Sequence, residues 1–286
     1  MSEGPERVVL VTGASRGAGK GIALALARPG TTVYVTGRTV TEGAAPLPGT
    51  IGATAAEIDA RGATGIAVAC DHGDDEQVRA LFERIERAHG RLDVLVNNAF
   101  VVPDDLVAPG PFWEKSLAQA QMLDVGLRST YVASWYAAPL LIAAGRGLIV
   151  NTSAAGGRCY MHGPAYGAGK AGVDKMAHDM ARDLKPYGVA AVSLWMGLLA
   201  TERTRAVMAA DAGRYGASPR LESPEYPGRV IDALWADPQM LERSGQVFYA
   251  ADLGAELGVV DIDGTAPPSA RRFLGEPTQF SAAVVE

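Results

Sequence analysis

Three residues in this chain have the types and the spacing that proton transfer needs. Ser153 closes the run from Gly147, and Tyr166 and Lys170 follow four residues apart in Tyr166-Gly-Ala-Gly-Lys170. That spacing sets two side chains on one face of a helix. A phenol alone titrates near pH ~10 and is a poor acid or base at neutrality. An ammonium one turn away favours the phenolate and is expected to draw the Tyr166 pKa toward the working range. A hydroxyl such as that of Ser153 can then hold a carbonyl or alcohol oxygen in line with the phenol. An ordinary surface pair on a helix shows the same Tyr-x-x-x-Lys spacing, so the weight of the trio depends on what the rest of the chain builds around it.

The surrounding elements supply that context. Gly147 to Val150 reads as a buried strand, which puts Ser153 at a carboxyl end, the edge of an open parallel sheet where ligands bind. At the other end of the chain, Arg7 to Val11 reads as a strand buried on both faces. The turn Thr12-Gly-Ala-Ser-Arg-Gly-Ala-Gly19 follows at once, and Lys20 to Arg28 reads as a helix closed by Pro29-Gly30. Strand, glycine turn and helix together make a dinucleotide cradle, because glycine lets backbone approach a pyrophosphate and a helix N-terminus offers unpaired N–H groups. Gly13, Ser15, Arg16, Gly17 and Gly19 are the residues of that cradle. The rival phosphate loop fails, since it needs Gly at position 14 and Ser or Thr at 21, where Ala14 and Gly21 stand.

Further strands are expected at Thr32–Thr36, Thr64–Cys70, Leu92–Val96, Val189–Leu194 and Gln246–Tyr249, separated by helices at about 50–61, 74–89, 112–144 and 163–185. This alternation predicts an α/β, Rossmann-type, doubly wound three-layer sandwich with a mostly parallel sheet of about seven strands, and one domain over residues 1–286. The second strand ends in Gly37-Arg38-Thr39, with no carboxylate for a ribose 2′-hydroxyl. Arg38, seconded by Arg16, favours a 2′-phosphate and hence NADP. The segment from 198 to 227 is expected to act as a substrate lid, and the tail from 265 to 286 shows no readable chemistry.

Composition narrows the function classes. Hydrophobic residues make up 48% and charged residues 20% of the 286, which suits a globular protein with a sizeable core. A net charge of −6 with no basic run argues against nucleic-acid and anionic-membrane partners. The two cysteines, Cys70 and Cys159, suit a reducing compartment, and no signal peptide is expected in Met1 to Arg7. The longest apolar run, Tyr131 to Ala144, is broken by Ser134 and Pro139 and is too short to span a bilayer. A cytoplasmic protein is the expectation.

Taken together these motifs resemble the classical short-chain dehydrogenase/reductases over roughly Val8 to Gly264. Thr12-Gly13-x3-Gly17-x-Gly19, Asn97-Asn98-Ala99, Ser153 thirteen residues before Tyr166, and Tyr166-x-x-x-Lys170 stand in that family's order. The resemblance implies an NADP(H)-dependent interconversion of a carbonyl and an alcohol, with Tyr166 as general acid. Lys170 would lower the Tyr166 pKa and bind the nicotinamide ribose, and Ser153 would steady the substrate oxygen. It also implies that Asp71 contacts adenine, that Asn98 belongs to the cofactor site, and that Gly197 and Thr201 lie in the loop at the nicotinamide. A homodimer or homotetramer built through long helices is implied as well. The chain departs from the family at Asp124, where Asn is usual, at Met196, where Pro precedes the loop glycine, and at Phe100, where Gly is usual. Asp124 is expected to keep its hydrogen bond in the proton relay and to offset part of the Lys170 charge. These departures motivate an alternative, a nucleotide-binding sensor or regulator with little turnover; an NAD-dependent alcohol dehydrogenase is a second. The substrate pocket, from Phe100–Trp113, Ala154–Gly163 and the lid, is mixed apolar and small, suited to a modest apolar compound.

Overall fold

Runs rich in β-branched and aliphatic residues make the strands, and all seven lie parallel in one sheet. The computed structural model describes residues 7–210 and 220–285. The strands are β1 (Arg7–Val11), β2 (Thr31–Gly37), β3 (Thr64–Ala69), β4 (Val94–Asn97), β5 (Gly147–Ser153), β6 (Val189–Trp195) and β7 (Val247–Tyr249). Their order across the sheet is β3-β2-β1-β4-β5-β6-β7. The winding reverses between β1 and β4, and the crevice at such a reversal is where open α/β sheets bind ligands.

Helices cover both faces, as a parallel sheet requires. Alternate strand residues divide the core accordingly. Val9, Val11, Val33, Val96 and Val150 pack with α1 (Gly17–Leu26), α2 (Ile51–Ala60) and α7 (Tyr226–Ala236). Val8, Leu10, Leu95, Ile149 and Ala191 pack with α3 (Asp75–His89), α4 (Ser129–Ala143) and α5 (Pro164–Leu184) on the other face. The helix ends follow local chemistry. Asp74 caps α3 by accepting from the N–H groups of Glu76 and Gln77 at 3.0 and 3.3 Å, and Pro164 opens α5.

The long helix expected from Phe112 to Ala144 is not continuous. Short 3₁₀ turns at Phe112–Glu114 and Leu117–Ala120 lead to a widened turn at Leu123–Arg128, and regular helix begins only at Ser129. The break lies at Val125 and Gly126, whose φ is 151°. A Cβ on Gly126 would stand 2.6 Å from Cδ2 of Phe100, so this glycine supplies both the backbone conformation and the room for that ring. Periodicity carries no record of a ring arriving from another loop.

The segment 198–227, expected to act as a lid, contains α6 (Glu202–Ala210), and residues 211–219 of it lie outside the described residues. A short helix α8 (Ala250–Glu256) follows β7, and α9 (Arg271–Leu274) lies in the tail. Although unreadable in sequence, the tail has a place. Tyr249 donates its hydroxyl to the carbonyl of Gly275 at 2.8 Å, Arg158 donates to that of Pro277 at 2.8 Å, and Leu274 and Phe280 pack on Trp195, Val247 and Tyr249. Among the described residues no helix is long and apolar enough to cross a membrane, and no cluster of metal-ligating side chains occurs.

Candidate active site

The glycine turn is held by strand ends on both sides. Thr12 donates its N–H to the Val96 carbonyl at 3.0 Å, and Ala14 donates to that of Thr36 at 2.8 Å. The Thr12 hydroxyl oxygen accepts from the N–H groups of Asn98 and Ala99, both at 2.9 Å. Asn98 Nδ2 donates to the carbonyls of Thr12 and Gly13 at 2.9 and 3.1 Å. Asn98 therefore braces the turn. A Cβ on Gly19 would lie 2.3 Å from the Gly13 carbonyl oxygen and 2.4 Å from Asn98 Nδ2, so only glycine lets α1 start this close to the turn.

Beside the turn lies a cavity of about 390 Å³ lined by Gly13, Ser15, Arg16, Gly17, Gly19, Arg38, Asp71, Asn98, Phe100 and Thr201. Arg38 is exposed, 3.8 Å from the Asp71 carboxylate at the far end. Arg16 is tied down, donating Nε and a terminal nitrogen to the carbonyls of Pro48 and Gly49 at 2.9 and 2.8 Å. The close backbone approach at Gly19, the α1 N-terminus and the two guanidinium groups fit a dinucleotide phosphate chain.

The second part of the site is carried by β5 and α5. Ser153 is buried at the end of β5, and its hydroxyl points into α5, donating to the Lys170 carbonyl at 3.4 Å. Lys170 Nζ donates to the Thr152 carbonyl at 3.3 Å and lies 4.4 Å from the centre of the Phe100 ring and 5.7 Å from that of Tyr166. The Phe100 ring meets the Tyr166 ring edge to face at 5.9 Å. Phe100 thus lines the dinucleotide cavity and also touches both members of the Tyr–Lys pair. His162, with φ at 62°, also meets the Tyr166 ring edge to face at 4.9 Å and borders a second cavity of about 370 Å³. Phe112, Trp113, Leu117, Leu123 and Pro164 make that second cavity largely apolar.

A model of the short chain dehydrogenase family matches residues 7–212. The chain belongs to the short-chain dehydrogenases. It is 41% identical over 270 residues to dehydrogenase/reductase SDR family member 1 of Mus musculus, covering 90% of this chain and 84% of the relative. It is 31% identical over 245 residues to a 3-oxoacyl-[acyl-carrier-protein] reductase of Synechocystis, covering 85% of this chain and 94% of that protein. The solved structure of a short chain dehydrogenase from Mycobacterium thermoresistibile superposes with a TM-score of 0.77 at 24% identity over 92% of each chain, a likeness of fold.

In this short-chain dehydrogenase several expected details differ. The Tyr166 phenol was expected to be drawn toward the working range, but burial pushes it up to about 12, with Cys159 adding to the rise. Lys170 itself is pushed down to about 8 by burial, against the pull of Asp174. The carboxylate acting on Lys170 is therefore Asp174, one turn further along α5. Asp124 stands exposed at the widened turn, where its field acts on Arg128. Thr201 spends its hydroxyl as the cap of α6, accepting from the Thr204 N–H at 3.1 Å. Gly197 lies outside the cavity, under a buried carboxylate: Glu222 Oε2 accepts from its N–H at 3.2 Å, and a Cβ there would meet Oε1 at 2.0 Å.

Asp174 and Glu222 are the site-shaping residues that sequence reasoning missed. Asp174 is buried and accepts from the Trp195 indole at 3.0 Å and from the Ser193 hydroxyl. Its signal was present, because Tyr166, Lys170 and Asp174 recur every four residues on one helix face. Glu222 had none. Burial pushes it up to about 7 with Asp261 adding to the rise, and nothing local distinguishes it from a surface glutamate.

Proposed function

We propose that this chain is a single NADP(H)-dependent oxidoreductase domain that interconverts a carbonyl and an alcohol on a small, largely apolar substrate, with Tyr166 as the proton donor. The observation that carries the reading is the meeting of Tyr166 and Lys170, beside the strand end bearing Ser153, with Phe100 at the wall of the glycine-turn cavity. Bound at that cavity, the dinucleotide supplies the hydride. A phenol held up to about 12 is fully protonated at neutral pH and can give its proton to a carbonyl oxygen as the carbon is reduced. Lys170 then stands one turn away to stabilise the phenolate left behind. Arg38 supports NADP over NAD, as β2 ends with no carboxylate and places this guanidinium at the cavity. The apolar second cavity, sharing His162 with Tyr166, supports the substrate class. Names among the relatives, 3-oxoacyl reductase and 3β-hydroxysteroid dehydrogenase, pair the same functional groups with apolar frameworks. The exposed Tyr131 and Trp135, one turn apart on α4, support a homodimer or homotetramer, and the free thiols of Cys70 and Cys159 support a cytoplasmic setting.

Purified protein mixed with NADPH and a panel of apolar ketones and aldehydes tests the reading. Turnover is expected, and Tyr166→Phe should reduce kcat/KM by at least about 10² while leaving the NADPH Kd unchanged. A Tyr166→Phe enzyme with full activity sinks it. The second reading, a dinucleotide sensor with little turnover, is favoured by the Phe100 ring over Lys170 and by the inward-turned Ser153 hydroxyl. Tight NADPH binding without consumption across the panel would decide for the sensor.

A further inference from the structure

We propose that the Glu202 carboxylate is a built-in competitor for the phosphate-binding N–H of Gly17, so that a dinucleotide must displace the first turn of α6 to seat its pyrophosphate. This rests on reading the crevice as a dinucleotide site. The N-terminus of α1 lacks a cap of its own: Arg16 makes no capping hydrogen bond, and the first turn holds no acidic residue. Such an end exposes unpaired N–H groups and the positive end of the helix dipole, and it attracts an anion. The fold delivers one from 185 positions along the chain. Glu202 Oε2 accepts from the Gly17 N–H at 3.1 Å, and the methyl group of Thr201 stands 3.6 Å from where a Gly17 Cβ would be. A carboxylate oxygen and a phosphate oxygen are both anionic acceptors, so the two cannot share this donor.

The contact is held by more than one hydrogen bond. Ala200 donates to the Glu222 carbonyl at 2.8 Å and Glu222 donates to that of Leu198 at 2.9 Å, a short parallel bridge that closes the neck of the lid. Thr201 fixes the start of α6, so Glu202 leaves the neck on a defined first turn aimed at α1. The charges around it make displacement productive. Glu202 acts on Arg16, as do Glu42 and, in the opposite sense, Arg203. Once Glu202 withdraws, Arg16 on the glycine turn faces the incoming phosphates with one acidic neighbour fewer. Cofactor affinity is thereby set below what the crevice alone would give, and seating the pyrophosphate is tied to movement of α6.

Titration of wild type, Glu202→Gln and Glu202→Ala with NADPH, ADP and adenosine tests this, read by calorimetry and by NADPH fluorescence. Both variants should bind ADP and NADPH roughly three- to tenfold more tightly than wild type, with adenosine affinity unchanged because it carries no phosphate. Equal or weaker ADP binding in the variants overturns the inference, as does an equal gain for adenosine. Failure of all three proteins to bind NADPH or ADP sinks the dinucleotide reading and the inference with it. Binding at equal affinity sinks the inference alone.

Discussion

The two ends of the crevice are built from different material. At the glycine turn the ligand-facing surface is largely main chain, clamped by β2 and β4 and by Thr12 and Asn98 through bonds of 2.8 to 3.1 Å. At the Tyr–Lys end it is side chain, and the polar groups there are turned toward the protein: Ser153 on β5 donates to a carbonyl of α5, Lys170 on α5 donates to a carbonyl of β5, and Asp174 lies buried among Ser193 and Trp195. The first end is main chain held by hydrogen bonds from both neighbouring strand ends. The second holds ionisable groups whose burial costs stability, which is the usual condition of a site kept for chemistry rather than for folding.

The largest effect expected from this contrast belongs to Gly19→Ala. The new methyl must push the Gly13 carbonyl or Asn98, both part of the clamp, so NADPH binding should vanish from a fluorescence titration and stability should fall by about 2 kcal/mol or more. Retained binding would show the main-chain end to be softer than its hydrogen bonds imply.

Lys170→Met should act in the opposite direction at the other end. The Lys170 pKa is pushed down to about 8 from 10.5, so the cost of burying its charge is fully present below pH ~8 and relieved as pH rises from 8 to 10.5. At pH 7 the variant is expected to be more stable by ~2 kcal/mol in urea unfolding, with activity lost, and the gap should close by pH ~10. A destabilised variant would mean that the ammonium serves the fold.

A smaller effect is expected at Glu222, whose ionised form keeps its bond from the Gly197 N–H. With its pKa pushed up to about 7 from 4.5, the folded wild type binds more protons than the unfolded chain between these values, and its stability falls as pH rises through them. Glu222→Gln should remove that slope, gaining ~1 kcal/mol at pH 7.5. An unchanged slope would place the titrating group elsewhere. The smallest effect is at exposed Arg38, whose replacement by Ala should weaken NADP binding about threefold and leave NAD binding unchanged. Equal loss for both cofactors would count against the choice of NADP.

Legibility in the sequence followed the same division. The alternation of strands and helices and the glycine turn could be read because each rests on local rules: largely apolar runs, glycine where backbone crowds backbone, a helix starting at once after a turn. The long helix from Phe112 failed at Gly126, where the Phe100 ring intrudes from another loop. Asp124 was expected beside Lys170 and stands exposed, whereas Asp174 was hidden in plain spacing. Arg16 was expected at the cofactor and is tied to Pro48 and Gly49 as well as lining the cavity.

What the residues alone determined is the doubly wound sheet, the phosphate-binding turn and the candidate Tyr–Lys pair, since these follow from hydrophobic periodicity, steric need and helical spacing. Only the folded chain decided which carboxylates matter. Asp174 and Glu222 owe their roles to burial, and Asp174, Glu202 and Glu222 alike to partners 19 to 185 positions away; both depend on packing between elements that no local pattern encodes.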